Sequence, residues 1–331
     1  MKRLYLHIGT HKTGSTSIQK TCLENKDELL AQGFHYPTSI ANSDGNHSAL
    51  AWFFMGDSRA DNIDIEAFKY EINNIGAGNL IISGEEFEFM GVEDLNQVME
   101  FFNDYNITII CYLRPQHELI RSEYIEWLKQ GLTSDQFSVF WRLQSNLPRF
   151  NYELLYNNWK EKFSNLEFRS FDQAKKLQLG VVEDFFNILN VSSSNIRFCS
   201  NQNESPNSKV VKAWLLLARL HELSGGKDYS IADYLYNVSR RNERKPLYEL
   251  LMRVAEIQPL KQHSSKFIGY HPYEAKQCYS RFTLSNEQLF KSLGSNLWSK
   301  EDLQFASEEP VALSIEELSS AYEVFREYYK G

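Results

Sequence analysis

The residues with the clearest chemical pattern lie near the N-terminus, where a short apolar run leads into a helical pattern. Two glycines, Gly9 and Gly14, enclose a lysine, Lys12. Hydroxyl side chains crowd the end of the same stretch: Thr13, Ser15, Thr16 and Ser17. Backbone N–H groups at the start of a helix attract oxyanions, and a lysine ammonium and hydroxyl donors add to this attraction. The stretch is therefore predicted to bind a phosphate or a similar anionic group.

The position of the lysine separates this stretch from the common ATP- and GTP-binding loop. That loop reads G-x-x-x-x-G-K-[ST], with the lysine directly after the second glycine. Here Ser15 occupies that place, and Lys12 lies two residues before Gly14. A kinase that transfers phosphate from ATP to a small molecule remains one interpretation, but the displaced lysine favours a different donor.

A second anion-binding pair follows another apolar run, residues 107–113. Arg114 comes directly after this run, and Pro115 suits the first position of a helix and keeps the preceding residue extended. Ser122 lies eight residues beyond Arg114, about two turns into the predicted helix. A guanidinium with a nearby hydroxyl is a good receptor for a phosphate. The ligand is therefore predicted to carry two separate anionic ends.

Carboxylates occur where two further apolar runs end. Glu85 and Glu86 follow residues 79–83, and Asp172 follows residues 166–171. A kinase would need such groups to hold Mg²⁺. Residue types alone leave open whether these carboxylates bind a metal or take part in proton transfer.

The elements that must position these residues alternate between strands and helices. Four short apolar runs are predicted to be buried strands: Leu4–Ile8, Asn79–Ser83, Ile107–Leu113 and Leu166–Phe171. Helical patterns lie between them, which indicates a parallel sheet covered on both faces. The first helix is predicted to begin near Ser15, to continue to about Leu30 and to end at Gly33. Ligands of such folds bind outside the carboxyl ends of the strands, where the motifs described above fall.

The last third of the sequence is predicted to be mainly helical. Helical patterns cover residues 210–220 and 246–257, and Ser314 with Glu317 forms a capping box before a final apolar stripe. A basic cluster at residues 240–245 is either a solvated face or a contact for a polyanionic acceptor. We expect one domain, residues 1–331, with a helical subdomain at about 205–265. The predicted fold is a P-loop-type three-layer α/β sandwich with a central, mostly parallel sheet and a helical C-terminal insertion.

Composition narrows the class of protein further. The 331 residues are 42% hydrophobic, which supports a large core, and the net charge of −8 argues against a nucleic-acid binder. The four cysteines are scattered without a C-x-x-C pair, so buried thiols are expected. No apolar run is long enough for a signal peptide or a membrane span. We expect a soluble, cytoplasmic protein.

The two anion-binding motifs resemble those of the sulfotransferases that use 3′-phosphoadenosine 5′-phosphosulfate (PAPS). The stretch from Gly9 to Ser17 looks like their 5′-phosphosulfate loop, and Arg114 followed by Ser122 looks like their 3′-phosphate site. The similarity is greatest to soluble bacterial and carbohydrate-type members. It extends to the segments Gly180–Phe186 and Asn203–Ser205 and so covers roughly residues 1–205. The pattern R-K-G-x-x-G that closes the arylsulfotransferase site is missing.

The resemblance implies a donor, an acceptor and roles for residues. PAPS is the expected donor, with no metal required, and the acceptor is a carbohydrate or another molecule with a hydroxyl or amine. The expected donor-binding residues are His11, Lys12, Thr13, Gly14, Ser15, Thr16, Ser17, Arg114 and Ser122. Lys12 is also expected to act on the leaving group.

The base is expected among three residues. Many carbohydrate-type members place a glutamate just beyond the second strand, so Glu85 is the first candidate and Glu86 the second. His47 is the third, because imidazole titrates near neutral pH. A protein that keeps the fold for binding without catalysis is a further alternative.

Overall fold

The computed structural model describes residues 2–74, 76, 78–199, 205–223, 238–299, 302–303, 305–308 and 311–330. The chain forms two compact units. The first contains Met1–Pro115, Pro148–Gln202 and Phe282–Leu303. The second contains Gln116–Leu147, Asn203–Arg281 and Gln304–Gly331.

The first unit is built on a five-stranded, all-parallel sheet. Its strands are β1 Lys2–His7, β2 Phe34–His35, β3 Asn79–Ser83, β4 Tyr105–Leu113 and β5 Asn165–Ser170. Their order across the sheet is β2-β3-β1-β4-β5. The first strand therefore lies at the centre, and the loop that follows it emerges between the carboxyl ends of β3 and β4. The four predicted strands are confirmed, and β2 is a short addition.

The helices are numbered in chain order across both units. They are α1 Ser15–Glu24, α2 Lys26–Ala31, α3 Ser48–Phe54, α4 Ile65–Asn74, α5 Val92–Phe101, α6 Gln116–Lys129, α7 Phe137–Gln144, α8 Tyr152–Lys162, α9 Phe171–Ala174, α10 Val181–Leu189, α11 Ser208–Leu223, α12 Val238–Ala255, α13 Gln258–Lys261, α14 Glu274–Ser280, α15 Thr283–Leu293 and α16 Ile315–Lys330. Short 3₁₀ turns occur at Ser58–Ala60, Glu85–Phe89 and Pro148–Phe150.

Helices cover both faces of the sheet, as the near-continuous burial of its central strands requires. Ile18 of α1 and Phe185 of α10 pack with Tyr5, Ile81 and Ile110 in one buried cluster. The alternate strand side chains on the other face are also fully buried: Leu4, Leu6, Ile82 and Ile109. The predicted three-layer α/β architecture is confirmed.

The first predicted helix is divided in two. The segment expected to run from Ser15 to about Leu30 breaks at Asn25, whose side-chain amide donates to the carbonyls of Thr21 and Arg197 at 2.7 and 2.8 Å. Such local bonds compete with a continuous helix. Gly33 follows at a φ of 86°, in the left-handed conformation expected of a glycine after a helix.

Among the described residues of the second unit, the regular elements are helices, and one isolated antiparallel bridge joins Asn207 and Lys266. The Trp214 indole N–H of α11 donates to the Leu251 carbonyl of α12 at 2.6 Å. The capping box before α16 forms as predicted, because Ser314 N–H donates to Glu317 at 2.7 Å and Glu317 N–H donates to the Ser314 hydroxyl at 3.1 Å. The basic cluster at 240–245 lies outside the residues whose side chains are described, as do Asn203 and Glu204.

Among the described residues, no helix is long and apolar enough to cross a membrane.

Candidate functional site

The loop after β1 is fixed at its start by the neighbouring strand β4. Thr10 N–H donates to the Tyr112 carbonyl at 3.0 Å, and Tyr112 N–H donates to the Gly9 carbonyl at 2.7 Å. The Thr13 hydroxyl then donates back to the Thr10 carbonyl at 2.5 Å. The loop thus continues the sheet for three residues past His7 before it folds over itself.

Three loop residues have left-handed backbone conformations, with φ of 95° at Gly9, 61° at Lys12 and 83° at Gly14. Gly14 also has little space for a side chain. An added Cβ would lie 2.7 Å from Val181 at the start of α10 and 3.2 Å from Phe171. Glycine is therefore required at this position by both conformation and packing.

The polar groups of the loop divide into exposed and buried ones. Lys12 and Thr16 are exposed, whereas Thr13 and Ser17 are buried. The Ser15 hydroxyl is also buried and has no hydrogen-bond partner within the described part of the chain. Because the first N–H groups of a helix lack intrahelical acceptors, the start of α1 combines amide and hydroxyl donors beside the lysine. This arrangement suits an oxyanion.

Arg114 lies on the β4 side of the loop. One guanidinium nitrogen is 3.4 Å from the Lys12 carbonyl oxygen, and the guanidinium lies 5.5 Å from the centre of the Phe171 ring. The Tyr152 hydroxyl donates to the Arg114 carbonyl at 2.9 Å and so fixes the backbone at the end of the strand. The structure therefore brings Arg114 next to the loop. Ser122 is half-buried in α6 and belongs to the second unit.

Glu85 lies on the opposite, β3 side of the loop. The preceding Gly84 donates its N–H to the His7 carbonyl at 3.0 Å. A Cβ at Gly84 would approach Ser48 N to 2.9 Å, so the strand end and the start of α3 are in close contact. Glu85 follows Gly84 directly. A Cβ placed on Gly9 would lie 3.3 Å from the Glu85 Cα, so the backbone of Glu85 is close to the start of the loop.

Two neutral side chains orient the Glu85 carboxylate. Gln19 Nε2 donates to Oε2 at 3.1 Å, and Asn46 Nδ2 donates to the same oxygen. The carboxylate is thus held through one oxygen. Its partners carry no positive charge, so the negative charge of Glu85 is not neutralised by them.

Glu86 and Glu88 form ion pairs instead. Glu86 lies 3.7 Å from the Arg59 guanidinium. Glu88 lies 3.8 Å from the Arg149 guanidinium. Both carboxylates also face the ring of His11, at 3.9 and 2.7 Å respectively. The 3₁₀ turn Glu85–Phe89 therefore places three carboxylates beside the loop, two of which have cationic partners.

His11 is a charged member of this group. Burial lowers the pKa of its ring, but the attraction and hydrogen bond of Glu88, with the charges of Glu85 and Glu86, raise that pKa to about 9. The ring is therefore protonated at neutral pH. Lys12 on the same loop and Arg114 beside it add two further positive charges.

His47 occupies a different environment. The residue is fully buried, its Nε2 lies 2.8 Å from the Pro37 carbonyl, and its Nδ1 accepts the Ser83 N–H at 3.0 Å. Burial lowers the pKa of His47 to about 4, so the ring is neutral. One ring nitrogen therefore binds the end of β3, and the other binds the segment that follows β2.

Several residues of the site were not singled out from the sequence: Gln19, Asn46, Arg59, Glu88 and Arg149. Asn46 stands directly before His47, and Glu88 lies one 3₁₀ turn beyond Glu85, so both are close in sequence to a predicted candidate. Arg59 and Arg149 carry no local signal, because they reach the site only through the fold. No group of three or more His, Cys, Asp or Glu side chains placed to hold a metal ion occurs in the described residues.

Comparison with known proteins gives distant similarities. No protein-family model matches the chain. An uncharacterized protein of Archaeoglobus fulgidus is 23% identical over 219 residues, which are 63% of this chain and 57% of that protein. The chain thus matches little more than half the length of that relative. A sulfotransferase from Alicyclobacillus acidocaldarius has a crystal structure that is similar with a TM-score of 0.40 and 15% identity, over 69% of this chain and 97% of that one.

Proposed function

We propose that the protein is a PAPS-dependent sulfotransferase that transfers a sulfuryl group to a hydroxyl or amine of a carbohydrate-like acceptor. One observation supports this proposal above others. A phosphate-type loop with a displaced lysine lies between an arginine on one side, at 3.4 Å from the Lys12 carbonyl, and an oriented glutamate on the other. Such a site offers cations to a polyanionic donor and a carboxylate to its acceptor.

The donor PAPS is proposed to bind to the loop after β1 and to Arg114, which follows β4. The first amides of α1, the Lys12 ammonium and the hydroxyls of Ser15, Thr16 and Ser17 are proposed to bind the 5′-phosphosulfate. The Thr13 hydroxyl donates to the Thr10 carbonyl at 2.5 Å, so Thr13 is proposed to shape the loop instead. Arg114 is proposed to bind the 3′-phosphate, since a guanidinium matches phosphate oxygens with paired donors. The participation of Ser122 rests on its spacing from Arg114 in the sequence.

The proposed reaction is an in-line displacement at sulfur. An acceptor oxygen or nitrogen attacks the sulfur, the bond from sulfur to the 5′-phosphate oxygen breaks, and that oxygen keeps the electron pair. By analogy with phosphoryl transfer, such a loose transition state is stabilised mainly by positioning and electrostatics. Lys12 is proposed to stabilise the charge on the leaving oxygen, and the acceptor's proton passes to a carboxylate.

Glu85 is the base that the geometry favours among the three candidates. Its bonds to Gln19 and Asn46 engage Oε2 and leave Oε1 for the acceptor. Glu86 lies 3.7 Å from the Arg59 guanidinium and 3.9 Å from the His11 ring, so its carboxylate faces cationic groups of the protein. His47 is buried with both nitrogens engaged, which argues against a direct role in proton transfer.

Nucleotide-dependent stabilisation tests the proposal. Adenosine 3′,5′-bisphosphate, the expected product, should raise the melting temperature without Mg²⁺, because ligand at 100 times its Kd stabilises a protein by about 2.7 kcal/mol. ATP with Mg²⁺ should have little effect. Stabilisation by ATP and Mg²⁺ alone would indicate a kinase instead.

Two lysine variants test whether this rise in melting temperature depends on the loop. Lys12→Ala should remove most of the stabilisation, whereas Lys20→Ala, an exposed lysine of α1 paired with Asp44 at 3.1 Å, should keep it. Transfer of label from PAPS is then measured with a panel of sugars, glycan fragments and phenols. A protein that binds the bisphosphate but transfers no label to any of them would be a non-catalytic binding protein.

A further inference from the structure

A network of three buried polar side chains lies next to the Glu85 carboxylate. His7 and Ser83 are paired residues at the ends of β1 and β3, and His7 Nδ1 lies 2.7 Å from the Ser83 hydroxyl oxygen. The Gln19 amide of α1 donates to the same hydroxyl oxygen at 3.2 Å and to Glu85 Oε2 at 3.1 Å. All three side chains are buried. The His7–Ser83–Gln19 network therefore connects two strand ends and the first helix to Glu85.

The alternation of side chains along the two strands explains why this network faces α1. Tyr5 and Ile81 pack with residues of α1 in one buried cluster. Side chains two residues apart along a strand point to the same face of the sheet. His7 and Ser83 each follow one of these residues by two positions, so they also face α1, where Gln19 contacts Ser83.

The network fixes the direction in which the Gln19 amide points. Its NH2 group carries two hydrogens and meets two acceptors, the Ser83 hydroxyl and the Glu85 carboxylate. A reversed amide would place its carbonyl oxygen against the carboxylate. Burial lowers the pKa of His7 to about 3, so the ring is neutral and its Nδ1 can accept the Ser83 O–H. Each side chain thus holds the next one in a single orientation.

A second amide contacts the same carboxylate from the segment before α3. Asn46 Oδ1 accepts the Ser48 backbone N–H at 2.5 Å, which fixes the orientation of this amide as well. Asn46 Nδ2 then donates to Glu85 Oε2. Both amides therefore bind one oxygen of Glu85, and neither of them engages Oε1.

We propose that Gln19 is a positioning residue for the Glu85 base and that Ser83 and His7 act on the reaction through Gln19. Gln19 lies four residues beyond Ser15, about one helical turn. The helix whose N-terminus is offered to the donor therefore also holds the base, and this sets the direction of Oε1 relative to the donor's sulfur. The three residues of the network do not touch the donor or the acceptor. This inference rests on the proposed function, because it presumes that Glu85 takes the acceptor's proton.

Gln19→Met tests the positioning role, because methionine has a similar volume and no amide. We expect kcat to fall between about tenfold and a hundredfold, the effect of a small misplacement of a reacting group. The dissociation constant of adenosine 3′,5′-bisphosphate should stay within about threefold of the wild-type value, since the change affects a step after binding. Label transfer from PAPS to the panel member that the wild type sulfates fastest gives kcat, and calorimetry gives the dissociation constant.

Gln32→Met is the matched control. Gln32 also joins two segments, because its side chain bonds both the carbonyl and the N–H of Ser192. It lies before β2, at the edge of the sheet opposite the site. This variant should lose stability and keep the wild-type kcat.

Combination with Glu85→Gln separates positioning of the base from a general loss of structure. If Gln19 acts through Glu85, Gln19→Met should lower kcat no further in the Glu85→Gln background, because residues that act as a unit are not additive. An equal loss in both backgrounds would overturn the inference, and so would a wild-type kcat in Gln19→Met. Either result leaves the binding of PAPS intact. A wild-type protein that transfers no label to any acceptor would instead overturn the proposed enzymatic function, and this inference with it.

Ser83→Ala tests the network without changing Gln19, and it serves also if Gln19→Met does not fold. The variant keeps the bond between Gln19 and Glu85 but removes the hydroxyl that fixes the amide. We expect a smaller loss of kcat, about twofold to tenfold, the usual effect of one neutral hydrogen bond. Crystal structures should show one Glu85 side-chain conformation in the wild type and a displaced or divided one in Ser83→Ala. An unchanged kcat or an unchanged Glu85 conformation would overturn the role of the network.

Discussion

At the scale of single residues, the three carboxylates beside the loop differ in the groups that contact them. Glu86 and Glu88 lie within 4 Å of arginine and histidine nitrogens, whereas the described hydrogen bonds of Glu85 come from the amides of Gln19 and Asn46. Amides orient a carboxylate without cancelling its charge. Glu85 is therefore the residue whose removal should affect proton transfer.

We predict that Glu85→Gln lowers kcat by about 10²- to 10⁴-fold, the usual contribution of general acid–base catalysis. The glutamine fills the same volume and cannot accept the proton. The dissociation constant for adenosine 3′,5′-bisphosphate should change less than threefold. Steady-state kinetics with an accepted sugar and calorimetry with the bisphosphate give the two values.

Glu86→Gln is the matched control for this prediction, since it makes the same change one residue away. It should retain most of kcat, because Glu86 is engaged with Arg59 at 3.7 Å. A larger loss of kcat in Glu86→Gln than in Glu85→Gln would assign the base to Glu86.

The sequence predicted the types of residue in the site better than their partners. Lys12, Arg114 and Glu85 could be selected because each follows a short apolar run of the kind that forms a buried strand. Gln19 and Asn46 could not, because an amide has no distinctive signal and becomes informative only when folding brings it to a carboxylate. His47 was a reasonable candidate by residue type, and only the structure shows that both its nitrogens bind backbone groups of Pro37 and Ser83.

At the scale of elements, the sheet determines where the site lies. Alternating apolar runs and helical patterns were sufficient to predict β1, β3, β4 and β5, since buried parallel strands are continuous in hydrophobicity. Strand β2 has only two residues, Phe34–His35, which is too short for any periodicity. The break at Asn25 was also missed, because its cause is a hydrogen bond to Arg197, 172 residues away.

The contact between the loop and α10 gives a prediction at this scale. Gly14→Ala should destabilise the protein by about 1–2 kcal/mol for the left-handed conformation and by about 1–3 kcal/mol more for the overlap with Val181. Chemical denaturation gives the sum. Binding of the bisphosphate should also weaken, because Gly14 is the residue before the helix that carries the loop hydroxyls.

Gly294→Ala separates the two contributions. Gly294 follows α15 in the same left-handed conformation, with φ of 71° and ψ of 8°, but no atom lies within 4 Å of an added Cβ, so this variant should show only the conformational cost. Val181→Ala combined with Gly14→Ala should recover part of the packing cost. Equal destabilisation by Gly14→Ala and Gly294→Ala would mean that the contact with Val181 is not tight.

At the scale of the whole molecule, two buried histidines link stability to pH. The ring of His7 packs against Tyr112 and Phe185 and bonds the Ser83 hydroxyl at 2.7 Å, and burial lowers its pKa to about 3. Burial lowers the pKa of His47 to about 4. Both rings are neutral in the folded protein and become charged more readily when it unfolds.

The direction in which stability changes with pH follows from these lowered pKa values. Above pH 6.5 neither state is protonated at these two positions, and their contribution to stability is fully present. As the pH falls from 6.5 toward 4, the unfolded chain takes up protons that the folded chain does not, so stability is lost. His11 acts in the opposite direction, because its raised pKa gives stability that is present below pH 6.5 and lost as the pH rises through about 9.

We therefore predict that a step from pH 7 to pH 5 lowers the free energy of unfolding by about 2 kcal/mol for each buried histidine. His47→Gln should show a drop that is smaller than the wild-type drop by about this amount, since glutamine can donate to Pro37 and accept from Ser83 without titrating. His271→Gln, at an exposed position, should keep the full drop. Urea unfolding of the three proteins at both pH values measures the difference. If the wild type and His47→Gln showed an identical pH dependence, the folded protein would accept a proton on the His47 ring. That result would contradict the lowered pKa that burial gives this ring.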